Sequence, residues 1–192
     1  DATEAVARRT SPLWTKLDPA TKTFVLSYND YTVNRLAGAL EALRTALADG
    51  TADRVGLDMR YLRGGNGSLA QPIIDALRSD ARINRPGGLT VLIGRENASA
   101  ATVVAGALDR DTQALLIGEP TPARADNFLC DCVDIPLQNS DFVVSIPTQS
   151  LHTGDPRDAV LPDVAVDLTA ADFFAGKDPA LELALSGAAD PP

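Results

Sequence analysis

Three groups of residues in this sequence have types and spacings suited to chemistry. Gly94-Arg95-Glu96-Asn97-Ala98-Ser99-Ala100-Ala101-Thr102 joins an apolar run to a small-residue helical pattern. That junction puts Ser99 in a first helical turn, where the helix dipole stabilises a developing alkoxide. Alanines on both sides leave room for a substrate chain, the logic of a nucleophile elbow without its usual glycines. Arg63-Gly64-Gly65-Asn66-Gly67 is a second junction, where glycines let backbone N–H groups face an anion with no Cβ in the way. No Gly-Lys-Ser/Thr follows, so it is not a nucleotide-binding P-loop. His152 is the one imidazole, with Asp155 and Asp158 near it in sequence as carboxylates that could orient it. Each group also has a plainer use: serine caps a helix, glycines make a tight turn, and a lone His in a Thr-Gly-Asp-Pro turn is exposed.

The elements that must position these residues are strands alternating with helices. Thr23–Tyr28, Arg54–Met59, Leu89–Ile93 and Ala114–Gly118 read as short strands, the last two apolar on both faces. Leu36, Leu40, Leu43 and Leu47 recur at helical spacing and stop at Gly50, and Ala98–Leu108 is a small-residue helix. Ser68 with Gln71 predicts a capping box at the start of a helix whose buried face is Ile73, Ile74 and Leu77. This alternation indicates βαβ units, a largely parallel sheet and an α/β fold. Beyond Pro120 the texture turns to short strands, at Cys132–Leu137, Phe142–Ile146 and Val164–Leu168, before a closing helix over Pro179–Leu185.

With 192 residues, 45% hydrophobic and 22% charged, the chain reads as one globular domain, and no apolar run approaches the roughly 20 residues of a membrane span. A net charge of −9 with dispersed Lys and Arg argues against a nucleic-acid partner. The start at Asp1 and the absence of a signal-peptide pattern in residues 1–13 predict an N-terminal extension on a processed or partial form. Cys130 and Cys132 are the only cysteines. On one strand face their geometry disfavours a disulfide, and no further ligands complete a zinc site, so both are expected to be free thiols.

Asp58-Met59-Arg60, Gly64-Gly65-Asn66, Val91-Leu92-Ile93, Ala98-Ser99-Ala100-Ala101, Val104-Ala105-Gly106-Ala107-Leu108, Gly118-Glu119-Pro120-Thr121 and Leu161-Pro162-Asp163-Val164 follow one another in a telling order. From about Trp14 to Leu185 the chain resembles the tail-specific (C-terminal-processing) serine proteases, and its stretch from Ala171 to Leu181 is similar to a bacterial hydrolase-like branch. The resemblance implies a crotonase-like spiral of ββα units with a mainly parallel sheet and a short β-rich C-terminal part, shared with the tricorn protease core and the interphotoreceptor retinoid-binding protein. It implies a serine-type peptidase with Ser99 as nucleophile and an oxyanion hole from the N–H groups of Ala100 and of Gly64 or Gly65. It implies no metal or organic cofactor, a peptide or unfolded protein as partner, upstream domains not present here, and an extracytoplasmic location.

The sequence departs from that pattern in two places. Arg124 stands where the family's lysine base would fall, and an arginine with a pKa above about 12 is no base near neutral pH. Leu62 and Arg63 replace the family's Asn and first Gly. His152 with Asp155 or Asp158 is the auxiliary pair left, although the tricorn-like branch takes its histidine from an earlier part of the chain. Two other functions share the expected fold: a silent member that binds peptide or an apolar ligand in the same cleft, and an acyl-CoA enzyme. Ser99 is expected beside Gly64 and Gly65 in the largest cleft.

Overall fold

Short apolar runs with Gly, Pro or Asp at their ends form the centre of the molecule. The computed structural model describes residues 8–31, 33–129 and 132–187. Strands β2 (Thr23–Tyr28), β3 (Arg54–Asp58), β4 (Leu89–Ile93) and β5 (Leu115–Gly118) pair in parallel. An antiparallel β1 (Leu13–Asp18) and a parallel β10 (Val164–Ala165) complete one six-stranded sheet in the order β1-β2-β3-β4-β5-β10. The architecture is therefore mixed α/β with a mainly parallel sheet, as the strand–helix alternation predicted. β1 escaped the sequence reading because the polar Thr15, Lys16 and Asp18 break up its apolar residues. The Asp18 carboxylate accepts from the N–H of Ala20 at 2.9 Å and closes the turn into β2.

Both faces of the sheet are covered, which is why β4 is apolar on each side. Phe24, Leu26 and Tyr28 alternate onto one face, against Leu36, Leu40 and Leu43 of α1 (Val33–Ala48), Ile73 and Leu77 of α2 (Gln71–Ser79), and Leu108 of α3 (Ala100–Asp111). Val25, Leu92 and Ile117 form the other face. A short α4 (Ala170–Phe174) leads to α5 (Pro179–Ser186), whose Ala180, Leu181 and Ala184 cover that second face. Among the described residues no helix is long and apolar enough to cross a membrane.

Two local expectations need correction. Ser68 and Gln71 form no capping box, because a single 3-10 turn (Gly67–Ala70) precedes α2. Its cap is Asn66, whose side-chain oxygen accepts from Ser68 N at 3.2 Å and from Ser68 Oγ at 2.7 Å. Pro72 then sits in the first turn of α2, where its missing N–H costs nothing.

The β-rich part comprises β6 (Asn127–Leu129) paired with β9 (Gln149–Leu151), and β7 (Val133–Pro136) paired with β8 (Val143–Ile146), both antiparallel. Cys132 is disulfide-bonded and no described cysteine is free, which overturns the expectation of unbonded thiols. Cys130 lies outside the described residues. The expectation assumed strand geometry, but β6 ends at Leu129 and β7 begins at Val133, so the same-face spacing of an extended strand does not apply to Cys132.

Candidate active site

Ser99 is the hinge between β4 and α3. Its backbone adopts φ 56° and ψ −122°, and among the described residues only Lys22 shares a positive φ without being glycine. An L-residue held in such a region carries about 1–3 kcal/mol of strain. The cap role offers no compensation, because the Ser99 side chain makes no capping hydrogen bond to α3. Its carbonyl accepts from Thr102 N at 3.0 Å and Val103 N at 3.3 Å, while the side chain is left exposed. A strained strand-to-helix turn that presents an uncapped hydroxyl to solvent is the geometry of a nucleophile elbow.

Asn97 holds that turn. Its side chain is fully buried; Oδ1 accepts from Gly94 N at 2.8 Å, while Nδ2 donates to Met59 O at 2.5 Å and Leu62 O at 2.9 Å. The buried Thr102 hydroxyl donates to the Asn97 carbonyl. The loop before Ser99 is thereby joined to the loop that leads to Gly64. Sequence reasoning missed Asn97, since an Asn in a loop signals a turn and nothing marks it as a cross-link.

The two junctions meet as expected. A Cβ placed on Gly64 would lie 3.1 Å from Ser99 Cβ and 3.5 Å from Ser99 Oγ, and one on Gly65 would lie 2.8 Å from the Tyr31 ring. Only glycine lets the backbone approach Ser99 so closely on one side and the aromatic ring on the other. Ala100, the first residue of α3, has no intrahelical acceptor for its N–H, and among the described residues the N–H groups of Gly64 and Gly65 have none either. The departures from the family pattern at Leu62 and Arg63 serve this contact: Leu62 is fully buried and offers its carbonyl to Asn97, and Arg63 donates to the Glu96 carboxylate at 2.9 and 2.6 Å.

Among the described residues, none of the auxiliary side chains is hydrogen-bonded to the Ser99 hydroxyl. Arg124 pairs with Asp158 at 3.7 Å, both exposed, and neither is hydrogen-bonded to Ser99. His152 Nδ1 faces Asp126 Oδ2 at 3.5 Å, so its carboxylate neighbour is Asp126. The Thr153 hydroxyl and N–H hold the Asp126 pKa below the usual range. Asp155 is not available to orient His152. It is buried beside Gly106 and chelated by Arg157 at 2.6–3.1 Å, and those hydrogen bonds push its pKa down to about 2. Arg157 also binds Asp109 near the end of α3, which makes this a structural tie. Among the described residues no group of His, Cys, Asp and Glu is arranged to hold a metal ion.

Behind the elbow lies a cavity of about 220 Å³, lined by Arg60, Tyr61, Gly94, Glu96 and Asp178 among others, but not by Ser99. Neither this cavity nor a larger one of about 270 Å³ along Arg9, Asn29, Tyr61, Arg63 and Glu96 is lined by Ser99, against the expectation that it sits in the largest cleft. The loop has two sides: Gly94–Glu96 wall the smaller cavity, and Ala98 and Ser99 face solvent. At the cavity floor Arg60 chelates the buried Asp58 at 2.9 and 2.7 Å and Asp178 at 2.8 and 2.8 Å. Arg8 adds a 2.7 Å bond to Asp178. Asp178 also caps α5 through Leu181 N at 3.1 Å, so this cluster fixes the C-terminal helix to the end of β3. Burial alone would raise the Asp178 pKa, but the hydrogen bonds and charge of Arg60 hold it well below the carboxylate range.

No protein-family model matches the sequence, and no curated protein sequence matches it. Solved structures do match. A Bacteroides fragilis protein assigned as an S41 protease superposes with a TM-score of 0.62 at 15% identity, over 91% of this chain and 56% of that one. A Parabacteroides merdae protein assigned as a peptidase gives 0.65 at 15% identity, over 96% and 68%. The photosystem II D1 C-terminal processing protease gives 0.54 at 20% identity, over 82% and 48%. The fold is that of an S41 protease core. The chain spans about half the length of the S41 protease and of the processing protease it matches. At these identities the S41 likeness is a likeness of fold, and it agrees with the family that the ordered motifs pointed to.

Proposed function

We propose that this chain is a serine-type peptidase core of crotonase-like spiral form, which cleaves peptide bonds by acyl transfer through Ser99. The observation that carries the proposal is the strained, uncapped Ser99 set against Gly64. Ser99 Oγ attacks the scissile carbonyl carbon and passes its proton to solvent water; the resulting oxyanion accepts from the N–H of Ala100 and of Gly64 or Gly65; collapse re-forms the carbonyl, breaks the C–N bond and expels the amine, which takes a proton from water. The acyl group left on Oγ is then hydrolysed by a second water, which returns the proton to Ser99. Each N–H donor is worth about 2.7–4 kcal/mol in the transition state. Arg124 cannot take the Ser99 proton, and His152 is paired with Asp126 and not with Ser99. With no base hydrogen-bonded to Ser99 among the described residues, turnover is slow, since general-base help is typically worth about 10²–10⁴. The disulfide at Cys132 supports work in an oxidising, extracytoplasmic compartment.

A second reading, a silent member that binds peptide without cutting it, is favoured by the ion pair that engages Arg124. Mass spectrometry of an unfolded protein after long incubation separates the two. New termini that appear with the wild type and not with Ser99→Ala support the peptidase. Retention of intact peptide with no new termini supports the binder.

A further inference from the structure

The β7–β8 ribbon carries a feature that the peptidase reading does not use. Its register sets Val133 opposite Ile146 and Ile135 opposite Val144, and Leu137 N bonds to Phe142 O at 3.0 Å as the next rung. Because side chains alternate along a strand, these six share one face. All six are exposed, from 45% for Ile135 and Val144 to 75% for Phe142. The other face holds Asp134, whose carboxylate accepts from Ser145 Oγ at 2.5 Å, together with Pro136 and Val143. The apolar face therefore bears no charge of its own, in a chain of net charge −9.

We propose that this face is an interface between two copies of the chain, with their ribbons stacked face to face about a two-fold axis. A two-stranded ribbon is marginal in water by itself and needs a cover for its apolar side. The six side chains leave on the order of 500 Å² of apolar surface, near the upper end of what a monomer exposes. Two such faces bury on the order of 1,000 Å² together, which reaches the lower bound for a specific contact. A face of matched apolar rows can pack on its own copy under two-fold rotation, and two ribbons stack at the roughly 10 Å spacing of packed sheets. Asp134 points away from the partner in this arrangement, so no like charges are opposed.

Sedimentation equilibrium of the 192-residue chain tests this, from about 1 to about 100 μM, a range in which mass action reveals a micromolar dimer. The proposal expects a species of twice 20.1 kDa at the upper end. It expects the Ile135→Asp/Val144→Asp variant to stay monomeric with an unchanged circular dichroism spectrum, because both side chains are exposed. If that variant loses structure, hydrogen exchange of wild-type Val133–Ile146 decides, with slower exchange expected at the higher concentration only. A wild type that is monomeric throughout overturns the proposal, including one whose ribbon captures an extended apolar peptide instead. So does a dimer that survives both charges.

Discussion

The amide of Asn97 donates to the carbonyl of Leu62 at 2.9 Å, across 35 residues of sequence and with both residues fully buried. Together with the bonds to Met59 and Gly94, it makes the elbow and the glycine loop one rigid unit. Asn97→Ala strands the Leu62 carbonyl and the Gly94 N–H, while the Met59 carbonyl keeps its bond from Leu62 N at 2.9 Å. We expect a loss of about 2–4 kcal/mol in urea unfolding, since each orphaned buried group costs about 1–3. We also expect Ser99 to become at least tenfold less reactive. A loss below about 1 kcal/mol shows that the cross-link does not hold the two loops.

Backbone strain at Ser99 predicts an unusual pair of variants. Ser99→Ala keeps the strained φ of 56° and removes only the hydroxyl, whereas glycine accepts that conformation freely. Both variants lose hydrolysis, but Ser99→Gly is expected to be more stable than Ser99→Ala by about 1 kcal/mol, the lower end of what such strain costs. Thermal unfolding of the two compares them directly. Equal stability, or a more stable alanine variant, removes the strain from the account.

Gly64→Ala places a methyl group 3.1 Å from Ser99 Cβ on an exposed loop. Because the added carbon meets Ser99 and not the core, stability should change by less than about 1 kcal/mol. Acyl transfer should fall at least tenfold through displacement of the hydroxyl and the nearby N–H groups. Full activity in this variant would separate the glycine loop from the chemistry.

Asp178 sets the acid limit of the fold. Its folded pKa lies below the unfolded value near 3.9, so the folded state binds fewer protons. Its contribution to stability is therefore full above about pH 5 and is lost as pH falls through 3.9 toward the folded value. Asp155 acts in the same direction. Asp178→Asn is expected to cost about 2–4 kcal/mol at pH 7 by leaving Arg60 and Arg8 with Asp58 alone, and to flatten the fall in stability between pH 5 and pH 3. Urea midpoints at those three pH values measure both effects. An unchanged acid slope contradicts the assignment.

Much of the fold was legible because its signals are local. The apolar runs at Leu89–Ile93 and Thr23–Tyr28 are β4 and β2 to the residue, and α1 ends at Ala48, just before Gly50 turns the chain at φ 75°. Ser99 and Gly64 could be singled out because each sits at a strand-to-helix junction, and parallel strands bring such junctions to one edge of a sheet. What could not be read depends on distant partners. Asn97 bonds to carbonyls 35 and 38 residues away, Asp178 to an arginine 118 away, and His152 to Asp126 where Asp155 or Asp158 was nearer in sequence. Nothing local distinguishes these from solvated loop residues.

Arg124 bears on rate, whereas Ser99 bears on whether there is any chemistry at all. A fluorophosphonate probe, followed by peptide mapping, addresses Ser99 most directly, because the adduct forms only at a serine poised to attack. We expect slow but stoichiometric labelling at Ser99, absent from Ser99→Ala and faster in Arg124→Lys at alkaline pH, where a lysine can lose its proton. A folded wild type that stays unlabelled after prolonged exposure, or that carries the adduct on a different serine, would contradict it.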